Sequence, residues 1–267
     1  MSEQLATALR TALNVHAASL EAKEIEGVPH LIVPPGHEVK NLEALLPAPI
    51  RIRAQPKLAD AVSFVDYWQK FATDRSVIFA NEEGRNFTAI FDYHASDKQP
   101  DWCDHKASLT LTHSDEWKRW IGKNGQQMRQ RDFAEFIEDN IKDVVEPTGA
   151  ELLEVAKTLT VNKKLNFRSS QELSNGQVQL TYNEEIKGEA GATGQLTIPT
   201  SITIGLRVFK GLDAYSVKAR FRYRISDEGV LTFSYHLDNV EKIVEDAFDT
   251  VMKQITTGCS GASMFKA

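Results

Sequence analysis

The sequence predicts an α+β fold, with a helical N-terminal part, a central β-hairpin accompanied by helices, and a C-terminal antiparallel β-meander covered by a C-terminal helix. Three observations carry this. Leu5, Leu9, Ala12, Leu13, Ala17 and Leu20 recur at three- and four-residue spacing, the period of an amphipathic helix. From Leu165 to Leu237 the chain reads almost wholly as strand. In Asp238 to Ile255 the residues Val240, Ile243, Val244, Ala247, Phe248, Val251 and Ile255 form a wide apolar stripe, suited to covering one face of a sheet.

The elements follow in order. Residues 3 to 24 form the first helix. Val28-Pro29-His30-Leu31-Ile32-Val33-Pro34-Pro35-Gly36 is a short β-segment punctuated by prolines, and so an edge strand, because proline cannot donate to a central ladder. A short helical piece at Leu42 to Leu46 ends at Pro47-Ala48-Pro49, and helical spacing resumes from Leu58 to Phe71 through Ala61, Phe64, Val65 and Trp68. Val77 to Ala80 and Phe87 to Tyr93, joined through Glu82-Glu83-Gly84, form the central hairpin, and Ala107 to Thr112 is its third strand. Asp115 to Ile121 and Asp132 to Val145 are helical. Thr148 and Glu151 stand as a capping box ahead of the helix Leu152 to Leu159. The meander comprises Leu165 to Gln171, Val178 to Ile186, Gln195 to Ile204, Val217 to Ile225 and Val230 to Leu237, with turn chemistry at Ser174-Asn175-Gly176 and Asp227-Glu228-Gly229. The expected division is residues 1–146, residues 147–257 and a loose tail at 258–267, with a single domain as the alternative.

Composition narrows the function. Lys plus Arg number 31 against 37 for Asp plus Glu, giving a net charge of −6, which disfavours unspecific adhesion to nucleic acid by the whole protein while leaving room for a local basic patch. Two cysteines, Cys103 and Cys259, are too few for a disulfide scaffold. With no signal-peptide pattern and no apolar run of about 20 residues, the expectation is a cytoplasmic protein with no membrane association.

The stretch Trp102 to Leu111, then Ser114-Asp115-Glu116-Trp117 and Gln130 to Asp139, resembles the centre of the YfdQ-like family of prophage and phage proteins, and the order of the remaining elements extends the resemblance over most of the chain. The resemblance implies no assigned activity. It does imply a phage or prophage gene neighbourhood that includes DNA metabolism.

No complete catalytic or metal-binding motif is present: no G-x-x-x-x-G-K-[ST], no G-x-G-x-x-G after a strand, no H-E-x-x-H and no G-x-S-x-G. Asp92, His94, Asp101, Cys103, Asp104, His105 and His113 cluster, but Cys103 and His105 are the single close pair, and a zinc site needs a second. The same two residues suggest a thiolate and its base, with no orienting third residue marked. A structural role in a loop entering a strand is the simpler reading. The glycine-spaced segment Gly188 to Gly194 opens into a strand and carries Glu189, so it reads as a connection and not as a phosphate cradle. No metal and no cofactor are expected.

Lys218, Arg220, Arg222 and Arg224 alternate with Val217, Ala219, Phe221, Tyr223 and Ile225, so a strand places the four cations in a row on one face. Same-face residues repeat at roughly 6.7 Å, comparable with successive phosphates on an extended single strand. Arg207 and Lys210 stand nearby to widen the patch. Intrachain pairing with acids such as Glu184 and Glu185, or contact with another subunit, are the competing uses of such a row. A second basic run, Lys118 and Arg119 with Lys123, Arg129 and Arg131, interleaves with Trp117 and Trp120, which at their spacing serve equally as core anchors. Glu135, Glu138, Asp139, Asp143 and Glu146 make an acidic helix face opposite Phe133, Phe136, Ile137, Ile141 and Val144. The functional expectation is a non-enzymatic prophage protein acting through self-association and partner binding, its partner a second copy or a phage or host protein. The alternative is an accessory nucleic-acid binder of phage DNA metabolism that uses the basic row, and a scattered active site near Asp104 and His105 stays open.

Overall fold

The computed structural model describes residues 46–172, 178–189, 197–226 and 228–267 together with residues 7, 10, 11, 22–25, 28–31 and 43, giving 22–25, 28–31, 160–172 and 178–189 as backbone. Two compact units divide between Ile52 and Arg53. In the first, β1 (Ala22–Ile25) and β2 (Val28–Leu31) form an antiparallel hairpin with Ala22 opposite Leu31. The proline-bearing strand is therefore present, but Ala22 to Glu24, expected as the end of a helix, belong to its partner. A strand ladder satisfies their backbone groups at a point where a helix would be fraying. Thr7, Arg10 and Thr11 are helical; the rest of that predicted helix, and most of the piece at Leu42 to Leu46, lie outside the described residues.

The second unit runs through β3 (Lys57–Leu58), α1 (Ala61–Phe71), β4 (Val77–Asn81), β5 (Asn86–Ile90), β6 (Lys106–Thr110), α2 (Asp115–Lys123), β7 (Met128–Arg129), α3 (Gln130–Asp139), β8 (Val144–Glu146) and α4 (Gly149–Thr158). It continues with β9 (Thr160–Glu172), β10 (Val178–Glu189), β11 (Ser201–Leu206), β12 (Tyr215–Ile225), β13 (Leu231–Leu237), α5 (Val240–Gly258) and β14 (Ser263–Lys266). The α+β class is thus realised, with two five-stranded sheets and the predicted C-terminal helix. Caps set the helix starts: Asp60 accepts from Ser63 N–H at 2.8 Å, Ser114 accepts from Trp117 N–H at 3.0 Å, and Thr148 and Glu151 form the predicted capping box.

The first sheet has the order β14-β4-β5-β6-β3. Its centre is the predicted hairpin, Val77 opposite Ile90, extended by β6. The segment expected as a loose tail instead supplies an edge strand: β14 pairs parallel with β4, Ser263 opposite Val77 through Lys266 opposite Ala80. Phe265 stacks on Phe79 at 5.6 Å, which explains why a short polar segment orders there.

The second sheet, β7-β13-β12-β11-β8, is antiparallel throughout. Only β11, β12 and β13 of the predicted meander belong to it. Among the described residues β9 and β10 pair with one another as a separate hairpin, polar at most positions and so poor in the apolar residues that a sheet core requires. The expected helix Asp132 to Val145 stops at Asn140, whose buried amide donates to the Phe136 carbonyl and accepts from Arg119. Val144 to Glu146 then pair with β11 as a short strand.

Helices α2 to α4 bury one face of this sheet. Phe133 packs on Phe221 and Phe233 at 5.6 and 5.1 Å, and Trp120 meets the Tyr235 ring at 5.1 Å. Helix α5 stacks Phe248 on Phe87 of the first sheet at 4.9 Å and brings Thr250 to the Tyr215 hydroxyl at the start of β12.

Candidate functional site

Period-two alternation along β12 sets the site. Val217, Ala219 and Phe221 are buried, while Lys218, Arg220, Arg222 and Arg224 are exposed on the opposite face. Register fixes their surroundings: Lys218 lies opposite Thr203, Arg220 opposite Ser201 and His236, Arg222 opposite Ser234, and Arg224 opposite Thr232. Thr232 in turn lies opposite Arg129 of β7, so a fifth cation shares this face. Apart from His236 beside Arg220, small hydroxyl residues flank the row and leave the cationic heads prominent.

Arg220 Nε donates to Asp238 Oδ1 at 3.1 Å, and this is the row's one ion pair among the described residues. No carboxylate there approaches Lys218, Arg222 or Arg224 within ion-pair reach. The backbone of Glu184 and Glu185 pairs with Leu165 and Lys164 of β9 instead of with β12.

The other expected cations serve elsewhere. Arg207 bonds Glu116, and Lys210 lies 3.7 Å from Asp115, so both attach to the start of α2 and do not widen the row. Lys118 lies 3.8 Å from Asp115, and Arg119 donates to Asn140 at 2.7 Å with Asp143 at 3.9 Å. They ride on a helix held to the buried side of the sheet by Trp117 and Trp120, which are core anchors. The structure therefore does not join Lys118 and Arg119 to Lys218 to Arg224. Arg129, from the same sequence run, does join.

The acidic helix face is largely neutralised where it stands. Glu135 accepts from Arg131 at 2.9 Å and Glu138 from Lys157 at 3.0 Å, while Asp139 is exposed. Asp143 turns inward to accept the Trp120 indole N–H at 2.8 Å. Beside Glu135 and Glu138 opens a cavity of about 620 Å³, lined also by Arg129, Gln130, Lys157 and Leu231. Lys157, distant in sequence, carried no signal for this placement.

The loop cluster comes together as a set of internal ties. Asp92 accepts from the Asp104 and His105 backbone N–H groups at 2.9 and 3.0 Å, and Arg75 bonds Asp101 at 2.8 Å. His94, not His105, approaches Cys103, with Nε2 to Sγ at 3.8 Å. His94 Nδ1 accepts the Asp101 N–H at 3.0 Å, so Nε2 carries the proton in the neutral ring and faces the sulfur as a donor; it cannot act as the thiol's base. Burial, together with the nearby carboxylate of Asp92, holds the Cys103 thiol above its ordinary pKa, opposite to an activated nucleophile. His105 is 5% exposed among Tyr67, Phe71 and Phe91, its Nε2 sharing a 2.9 Å hydrogen bond with the Tyr67 hydroxyl, and burial lowers its pKa. Among the described residues no three His, Cys, Asp or Glu side chains converge as a metal site would require. Replacing Asp92 by Ala removes both backbone ties and is expected to cost about 2 kcal/mol in a denaturant titration, as for hydrogen bonds to a charged acceptor.

The family model described as "Uncharacterized conserved protein (DUF2303)" matches residues 2–264. No curated protein and no solved structure matches the chain. Among the described residues, no helix is long and apolar enough to cross a membrane.

Proposed function

The chain belongs to this family of uncharacterized conserved proteins, and we propose that it is a non-enzymatic prophage protein of the cytoplasm that acts by assembling with itself and holding a partner. One observation carries the reading: a broad sheet face presents Lys218, Arg222 and Arg224 to solvent with no carboxylate against them among the described residues. Unpaired like charges on neighbouring positions repel one another and lower stability slightly, so a fold that keeps them has a use for them outside the molecule. The loop cluster around Cys103 favours binding over catalysis, because its polar groups are spent on holding the loop.

Self-association has a specific opportunity in the sheets. Strand β14 is an edge, and Phe265 on it is 48% exposed, a combination that invites a second copy. Size-exclusion chromatography with light scattering is expected to give a defined multiple of 29.9 kDa that persists in high salt, where a contact made by charge alone would weaken. A monomer across the accessible concentration range would sink the assembly part of the reading.

A further inference from the structure

We infer that the outer face of the second sheet is a track for single-stranded nucleic acid, its phosphates lying along Lys218, Arg220, Arg222 and Arg224 and an unpaired base entering the cavity beside Arg129. This rests on the reading of that face as the partner surface and names the partner.

Charge and geometry both point that way. The four cations project from alternate positions of one strand, so their spacing of roughly 6.7 Å is set by the backbone. A protein surface offers acids at irregular intervals, whereas a phosphodiester chain offers anions at a regular one that such a row matches. The hydroxyls of Ser201 and Thr203 lie on the same face opposite the row and can donate to further phosphate oxygens, while that of Thr232 donates to the Arg224 carbonyl at 3.4 Å. No carboxylate of this chain's described part lies within ion-pair reach of three of the four cations, the exposed Glu146 standing on the far side of Thr203 from Lys218.

The row also leads somewhere. Arg224 lies opposite Thr232 and Thr232 opposite Arg129, and Arg129, at the β7 edge of the sheet, also lines a cavity of about 620 Å³ on the helix side with Arg131, Ala134, Lys157, Val230 and Leu231, so a strand reaches it by turning round that edge. That volume falls in the range of ligand pockets, which run from roughly 300 to 1,000 Å³. Ala134, Val230 and Leu231 supply apolar wall for a base, and Arg129 a guanidinium that can stack on its face. Glu135 and Glu138, at the same cavity, would repel a phosphate but are paired to Arg131 and Lys157, and a carboxylate can accept from an exocyclic amino group. A base must be unpaired to enter, which selects a single strand over a duplex. Among the residues opposite the row the one ring is that of His236, beside Arg220, so contact along the face is mainly with the backbone and largely insensitive to sequence.

The test uses the full chain, a fluorescently labelled oligo-dT single strand and a duplex of the same length, with anisotropy read across a salt series. Single-strand binding at low salt is expected to fall steeply as salt rises. Lys218→Ala, Arg222→Ala and Arg224→Ala together should weaken it at least tenfold and flatten the slope of log affinity against log salt by about 2, since each single-strand phosphate contact contributes roughly 0.7. All three residues are exposed, and an unchanged far-ultraviolet spectrum checks that the variant folds. Val230→Asp, at a residue 40% exposed on the cavity rim, should reduce the preference for the single strand while leaving the salt slope in place. No binding at low salt, unchanged binding by the triple variant, or equal or tighter binding of the duplex overturns the inference. Light scattering on the same samples separates the two readings, because a defined assembly that binds no oligonucleotide removes the nucleic acid and leaves self-association standing.

Discussion

Trp120→Ala is expected to lower the free energy of unfolding by about 4 kcal/mol, read as a shift of the denaturation midpoint at constant slope. Trp120 is fully buried and meets the rings of Tyr235 at 5.1 Å and Phe136 at 4.9 Å, so its removal leaves a large cavity between α2, α3 and the second sheet. The loss is polar as well. The indole N–H is held by Asp143 at 2.8 Å, and that carboxylate, 19% exposed, would lose a donor and retain Arg119 at 3.9 Å. The Tyr235 hydroxyl donates to the Trp120 backbone carbonyl at 2.6 Å, a bond that survives the substitution but loses the packing that positions it. Tyr235→Phe, which deletes that bond and keeps the ring, should cost about 1 kcal/mol, and the contrast assigns most of the larger effect to packing. A cost under about 1 kcal/mol for Trp120→Ala would contradict the described core.

What the sequence revealed about this region, and what it did not, follows from the range of the forces involved. Alternation along Val217 to Ile225 is a local pattern with period two, and burial on one side and exposure on the other follow it residue by residue. The capping box at Thr148 and Glu151 is equally local and is present. The helix that ends at Asn140 could not be read, because the residue that holds Asn140 is Arg119, on another helix. Val144 to Glu146 form a strand because β11 arrives beside them from far along the chain. The same limit governed the candidate site. The four cations of β12 were legible as a row, but which of them would remain unpaired was not, since Asp238 comes from just past the end of β13 and the acids of α3 are satisfied by Arg131 and Lys157. Cys103 is a similar case. Its neighbour two residues on, His105, packs into an aromatic box with Tyr67, and the imidazole that does face the sulfur, His94, comes from nine residues earlier in the same loop.

A chain ending at Gly261 is expected to lose about 3 kcal/mol of stability and to associate in a concentration-dependent way, because the residues removed are those of β14. Two favourable contributions exceed this figure before the cost of ordering the segment is set against them. The ladder with β4 runs over four residue pairs, and each backbone hydrogen bond is worth about 1 kcal/mol net. Met264, partly buried against the core, and Phe265, stacked on Phe79, together add on the order of 1–2 kcal/mol by burial and ring contact. Conformational entropy released by the freed segment offsets part of the sum. The second consequence is qualitative. Removing β14 turns β4 into an edge whose residues Val77, Ile78 and Ala80 are buried in the intact protein, and an apolar edge with free backbone groups pairs with other chains. Thermal unfolding and light scattering on the shortened chain would read both effects. Phe265→Ala, which keeps the ladder and removes the stacked ring, should cost about 1 kcal/mol without uncovering the edge, so association in that variant would place its cause elsewhere than in β4.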